Sequence, residues 1–211
     1  MSPCWRLLLL SDGSLTRHLQ LVTGLPHTSR TRVARLTRPV LPLADAADVE
    51  VEVTAHHVLG SPNLELLPQE CQSLRPPLVQ RQVYLRPVAA PGSGAPLSDR
   101  PAPERPLVYA CSWWHEADFE ASMSRVGAPI WRNLSAQRAE CYRQPACLVL
   151  GDPAVVEGEG LEAAFGRKGP FWGRWYTLWR GGRVLTVIYE VFNPQLGDWA
   201  GDNDGRGLAG L

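Results

Sequence analysis

Apolar and polar residues alternate along much of the chain, and this pattern predicts a fold made mainly of β-strands. Each valine from Val49 to Val53 is followed by a polar residue, as in a strand with one face in water. The glycine pair Gly181-Gly182 separates two further apolar runs and predicts a β-hairpin. The predicted strands cover residues 49–54, 79–85, 107–114, 174–179 and 184–192.

The predicted helices are shorter than the strands. Leu15, Leu19 and Val22 recur at helical spacing between Ser14, a residue type that favours the N-cap, and the stop signal Gly24. Two more helices are predicted over residues 134–142 and 161–165, and residues 5–10 fit either a short buried strand or a first helical turn.

The segments without a regular pattern are predicted as connections. Residues 25–48 are irregular, and residues 62–77 form a loop with a short helical piece. Residues 87–106 hold six prolines and form a long surface loop within the domain, because predicted strands flank them. Antiparallel strands with scattered helices predict a single α+β domain over residues 1–201, followed by a flexible tail over 202–211.

Composition narrows the class of protein. The chain has 211 residues with 21 basic and 21 acidic side chains, so its formal net charge is zero. A nucleic-acid or membrane-surface binder normally carries a basic excess, and none is present. No apolar run is long enough for a signal peptide or a membrane span, and the five cysteines include no CxxC pair. These features predict a cytoplasmic protein with no metal, no nucleic-acid partner and no membrane span.

Glu190 is the first candidate for chemistry, because it interrupts an apolar strand. By alternation it shares a face with Ile188 and Phe192, where a lone carboxylate costs several kcal/mol unless it is paired. One interpretation is a buried ion pair that holds strands in register. The other is a carboxylate that binds a ligand or handles a proton in a pocket on the sheet.

Arg81 poses the same question with the opposite charge, since it shares a strand face with Val83 and Leu85. Its fork of donors suits a carboxylate, either that of Glu190 or that of a ligand. The helix predicted to begin at Ser14 offers free N–H groups in its first turn, which either bind an anion or are simply capped.

Six segments taken together resemble the chorismate pyruvate-lyase family, and the match is nearest to the branch from photosynthetic bacteria. Each segment alone is a weak motif, but they occur in the family's order along almost the whole chain. They are residues 5–17 (WRLLLLSDGSLTR), 81–85 (RQVYL), 107–114 (LVYACSWW), 129–130 (PI), 169–174 (GPFWGR) and 188–194 (IYEVFNP).

The resemblance implies a six-stranded antiparallel sheet with a ligand buried beneath helical flaps. It implies a lyase that removes pyruvate from chorismate without a metal or cofactor. The product, 4-hydroxybenzoate, is the ring precursor of isoprenoid quinones such as plastoquinone and ubiquinone. The resemblance also implies that Arg81 binds the ring carboxylate with the backbone amides of Leu15 and Ile130, and that Glu190 meets the ring hydroxyl.

The pyruvyl end of the site is less well defined by the resemblance. Trp113-Trp114 stands near the place where better-known members have a Gly-Arg pair, so this end of the pocket is built differently here. Arg174 in the GPFWGR segment is our candidate partner for the pyruvyl carboxylate. Because Arg174 carries a guanidinium, it has the donors that such an anion needs.

A non-catalytic sensor of small aromatic acids is the alternative function. The same fold resembles the effector-binding domains of a family of bacterial transcription regulators, and fold alone does not fix function. Such regulators carry a DNA-binding domain ahead of the sensor, whereas here the resemblance begins at Trp5. We therefore favour the enzyme and expect it to act as a monomer.

Overall fold

The computed structural model describes residues 3–10, 19, 48–88, 105–151 and 160–199. Its strands are β1 (Asp48–Gly60), β2 (Leu78–Val88), β3 (Val108–His115), β4 (Tyr142–Gly151), β5 (Phe171–Arg180) and β6 (Arg183–Phe192). They form one antiparallel sheet in the spatial order β1-β2-β3-β6-β5-β4. The predicted α+β fold with a six-stranded antiparallel sheet is thus confirmed.

Short helices connect the strands. They are α1 (Pro3–Leu10), α2 (Glu116–Ser122), α3 (Ile130–Ala136), α4 (Leu161–Phe165) and α5 (Gln195–Trp199), with 3₁₀ turns at Leu64–Leu66 and Gln69–Ser73. Helix α1 decides between the two interpretations of residues 5–10. The predicted irregular segment up to residue 47, most of the proline-rich loop and the tail lie outside the described residues, and of the helix predicted after Ser14 only Leu19 is described.

Strand β6 lies in the middle of the sheet and is buried on both faces, as its apolar sequence predicts. Val187, Tyr189 and Val191 contribute to the core on one face, beneath α4. Ile188 and Phe192 belong to the cores of the opposite face, which α1 and α3 cover. Because side chains alternate along a strand, Glu190 lies on this second face.

The helix predicted over residues 134–142 is wrong in its position. Helix α3 begins four residues earlier, directly after Pro129, and ends at Ala136. Arg138 has a φ of 51°, which a continuing helix does not allow. Tyr142 instead begins the edge strand β4, which carries no alternating pattern because much of it is exposed. Pro145 is tolerated there because it stands at a β-bulge on an edge strand.

Asn193 provides a test of how the end of β6 is fixed. Its fully buried side chain donates to the carbonyl oxygens of Pro106 and Phe165, at 2.9 and 3.3 Å. We expect Asn193→Ala to lower the free energy of unfolding by about 2 kcal/mol, because two buried carbonyls lose their donor. Urea unfolding measures this loss. The exposed turn cap Asn63 is the control, and Asn63→Ala should cost about 0.5 kcal/mol; equal losses would contradict the assignment.

Candidate functional site

A cavity of about 280 Å³ lies over the sheet face that carries Glu190. Strand side chains form its floor, and Pro129, Ile130 and Leu134 line it from helix α3 and the residue before that helix. Its lining is mostly apolar, and its size is that of a pocket for a small molecule. The ionisable or hydroxyl-bearing side chains that line it are Arg81, Ser112, Cys141, Arg143, Tyr176 and Glu190.

Glu190 is held by two hydrogen bonds and is only 4 % exposed. Its Oε2 accepts from Arg174 Nε at 2.7 Å, and its Oε1 accepts from the Tyr176 hydroxyl at 2.8 Å. Arg174 and Glu190 stand directly opposite each other in the β5–β6 ladder. Glu190 therefore forms an ion pair between strands and also lines the cavity, and its role toward a ligand or a proton stays a prediction.

Arg174 donates its hydrogen bonds to other groups of the protein. Besides its bond to Glu190, its Nη1 donates to the carbonyl oxygens of Leu8 and Leu9, at 2.7 and 3.0 Å, at the C-terminal end of α1. Burial by itself lowers the pKa of Arg174, but the interactions with Glu190 and Tyr176 together outweigh burial, and the pKa stands above its ordinary value. The guanidinium is not among the groups that line the cavity. The structure thus places Arg174 behind Glu190, and its role toward the pyruvyl carboxylate stays a prediction.

Arg81 does not pair with Glu190. Its Nε and Nη2 donate to the carbonyl oxygen of Val126, at 3.0 and 2.7 Å, and Nη2 also donates to that of Ala128 at 3.1 Å. Burial lowers the pKa of Arg81 to about 10, because the charged form loses its hydration. The group still carries its charge at neutral pH, and within the described residues no carboxylate balances that charge.

Asn133 on α3 fixes the segment that bonds to Arg81. Its Nδ2 donates to the carbonyl oxygens of Arg125 and Pro129, and its Oδ1 accepts from the backbone N–H of Arg125 at 3.0 Å. The loop between α2 and α3 is therefore attached to the sheet at Arg81 and to α3 at Asn133. This loop and α3 form the roof of the cavity.

Arg143 and Tyr176 are site residues that sequence reasoning missed. Tyr176 could have been found, because alternation places it on the strand face of Arg174. Burial raises its pKa well above the ordinary value, and the Glu190 carboxylate adds to the shift, so the phenol remains a donor. Arg143 could not have been found, since it lies on β4, a strand that the sequence pattern did not predict.

Of the two residues predicted to bind through their backbone amides, the structure describes Ile130 but not Leu15. Ile130 lines the cavity as the first residue of α3, and the N–H groups of a first helical turn have no acceptor within the helix. Leu15 and the Ser14 turn lie outside the described residues. The site therefore brings together Arg81, Glu190 and Ile130.

Other kinds of chemistry find little support at this cavity. The thiol of Cys141 lines it, but burial raises the pKa of that thiol, which disfavours the nucleophilic thiolate. In the part of the chain that the structure describes, no cluster of His, Cys, Asp or Glu side chains is suited to a metal ion. No described helix combines the length and apolar character that crossing a membrane requires.

Known proteins with similar sequences define the family. The model of the family described as Chorismate pyruvate-lyase Rv2949c-like matches residues 9–200. The chain belongs to this family. The uncharacterized protein ycf21 of Cyanophora paradoxa is 28% identical over 190 residues, which cover 90% of this chain and 77% of that relative. The uncharacterized protein ycf21 of Pyropia yezoensis is 27% identical over 192 residues, covering 91% and 82%.

A solved structure has the same fold as this chain. The effector domain of PhnF from Mycobacterium smegmatis matches with a TM-score of 0.52 and covers 89% of this chain and 92% of its own. Its sequence identity is 8%, so the likeness concerns the fold alone. The chain thus shares its fold with that effector domain.

The buried ion pair of this family member gives a stability prediction. Arg174→Met leaves the Glu190 carboxylate buried without its cation, and we expect a loss of about 3–5 kcal/mol in the free energy of unfolding. The double variant Arg174→Met/Glu190→Leu removes both charges and should recover most of that loss. Urea unfolding followed by tryptophan fluorescence measures both. The partly exposed pair Arg86–Glu52 is the control, where Arg86→Met should cost less than about 1 kcal/mol. A double variant as unstable as the single one would contradict the role of the pair.

Proposed function

We propose that this protein is a chorismate pyruvate-lyase, which converts chorismate to 4-hydroxybenzoate and pyruvate. The observation that carries the proposal is that Arg81 and Glu190 line one small apolar cavity without neutralising each other. A cation that no carboxylate balances suits an anionic ligand, and a fixed carboxylate suits a ligand hydroxyl. Membership of the chorismate pyruvate-lyase Rv2949c-like family supports the same substrate class.

In this proposal Arg81 binds the ring carboxylate of chorismate. Its Nη1 makes no hydrogen bond to the described residues and is the donor left for a ligand. The backbone amides of Ile130 and Leu15 complete the carboxylate site. The carbonyl contacts of Arg81 hold the guanidinium in place before the substrate arrives, which lowers the cost of ordering it on binding.

Glu190 accepts a hydrogen bond from the C4 hydroxyl of the substrate ring. Each carboxylate oxygen has two lone pairs, so the bonds from Arg174 and Tyr176 leave room for a further donor. Held in this way, Glu190 orients the ring and is placed to receive or relay the C4 proton. We propose that Arg174 and Tyr176 are positioning residues that act through Glu190.

The reaction is an elimination that produces an aromatic ring. The C4–H bond gives its electrons to the ring while the C3–O bond breaks, and the leaving enolpyruvate takes up a proton to become pyruvate. Atoms and charges balance, since the proton lost at C4 equals the proton gained by the leaving group. Because aromatisation drives the step, the cavity has to exclude water and hold the substrate in a reactive conformer.

Turnover of chorismate is the direct test. Purified protein is incubated with chorismate alone, and 4-hydroxybenzoate and pyruvate are followed by chromatography against a control without enzyme. We expect both products in equal amounts. Absence of turnover together with binding of 4-hydroxybenzoate would instead support the alternative, a non-catalytic sensor of aromatic acids.

Variants of the two main residues separate their roles. Glu190→Gln keeps the shape of the side chain but removes the carboxylate that acts as a base, and kcat should fall by about 100-fold or more. Arg81→Leu should mainly raise KM, because it removes a contact to the ring carboxylate that persists through the reaction. Arg180→Leu, a change outside the cavity, is the control and should leave both constants unchanged. Full kcat in Glu190→Gln would exclude the proton role, and an unchanged KM in Arg81→Leu would exclude the binding role.

A further inference from the structure

Arg143 reaches the cavity from the edge of the sheet. Its guanidinium carbon lies 4.1 Å from the centroid of the Tyr176 ring, and Tyr176 in turn bonds to Glu190. The ring supports the cation from one side through a cation–π contact. Arg143 therefore extends inward over β5, towards the position of Glu190.

Two nitrogens of Arg143 lack hydrogen bonds. Nε and Nη1 are both buried, and neither has a partner in the part of the chain that the structure describes. Burying donors without an acceptor is costly, and the cost is larger for a charged group. A guanidinium binds the two oxygens of a carboxylate either through Nε and Nη2 or through Nη1 and Nη2, so each orphaned nitrogen of Arg143 is one arm of such a fork. The orphaned donors are thus suited to an anionic acceptor such as a carboxylate.

The charges that line the cavity indicate how many negative groups the ligand has. The charged lining side chains are Arg81, Arg143 and Glu190, and the charge of Glu190 is already matched by Arg174. Neither Arg81 nor Arg143 forms an ion pair among the described residues. Two cations in one apolar cavity repel each other unless a ligand supplies two negative charges. The cavity is therefore suited to a dianion.

The sheet order separates the two cations. Arg81 lies on β2 and Arg143 on β4, with β3, β6 and β5 between them. Four interstrand steps of about 4.8 Å place their backbones roughly 19 Å apart before either side chain reaches inward. The two guanidinium groups therefore enter the cavity from opposite sides of the sheet. A ligand with two separate negative groups can place one of them at each guanidinium.

We infer that Arg143 binds the second carboxylate of the substrate, the one on the enolpyruvyl group, while Arg81 binds the ring carboxylate. This inference rests on the proposed function and takes over the role that the sequence suggested for Arg174. The product 4-hydroxybenzoate has only the ring carboxylate. Arg143 consequently distinguishes substrate from product, because it contacts a group that 4-hydroxybenzoate lacks.

Binding of two stable probes tests the inference without turnover. The first probe is 3-(1-carboxyvinyloxy)benzoate, an aromatic ring that carries both carboxylates and cannot undergo the elimination; the second is benzoate. In Arg143→Leu the Kd of the dicarboxylate should rise about 10- to 100-fold, while the Kd of benzoate changes less than about twofold. Arg81→Leu should weaken both probes, and the control Arg180→Leu neither.

The possible results separate the inference from the proposed function. Equal weakening of both probes in Arg143→Leu, or no weakening of either, would overturn the role of Arg143. Should that variant fail to fold, Arg143→Lys keeps the charge without the fork and should still weaken only the dicarboxylate. A wild-type protein that binds the dicarboxylate no more tightly than benzoate would also overturn it. Arg143-dependent binding without turnover of chorismate would leave the inference standing and refute the lyase.

Discussion

The buried ion pair between Arg174 and Glu190 is the interaction on which the rest of the site depends. A carboxylate on a buried face of a central strand is tolerated only when it is paired, and here Arg174 Nε lies 2.7 Å from Glu190 Oε2. The same guanidinium bonds to the last carbonyl groups of α1, and Tyr176 occupies the other carboxylate oxygen. The N-terminal helix, the central hairpin and the floor of the cavity are thereby joined in one hydrogen-bonded unit.

The roof of the cavity is fixed by a second polar network. Arg81 holds two carbonyl groups of the loop between α2 and α3, and Asn133 holds the same loop from the side of the helix. Arg81 thus has a structural and a proposed binding role at once, as Glu190 does. Arg81 and Glu190 both line the cavity and are both oriented by protein contacts, an arrangement that suits the binding site we propose.

Part of this site could be predicted from the sequence. Arg81 and Glu190 stand out because each places a charge on an apolar strand face, and both prove to be buried and to line one cavity. The place of Arg143 in the cavity could not be predicted, because the sequence of its strand has no strand pattern. Strand β4 is an exposed edge strand with a proline at a bulge, so it lacks the alternation of apolar and polar residues by which a half-buried strand is recognised. A residue cannot be assigned to a cavity before its strand is known to belong to the sheet.

The sequence by itself determined the central strands, the hairpin and the two charges that must be buried, because these follow from the local alternation of side chains. The tertiary structure decided which cation meets which carboxylate. A plain two-residue turn that pairs Arg180 with Arg183 would set Arg174 opposite Tyr189. A register shift between Leu178 and Trp179 moves the pairing by one residue and brings Arg174 opposite Glu190. Arg81, two strands away from β6, is then free of Glu190 and available to a ligand.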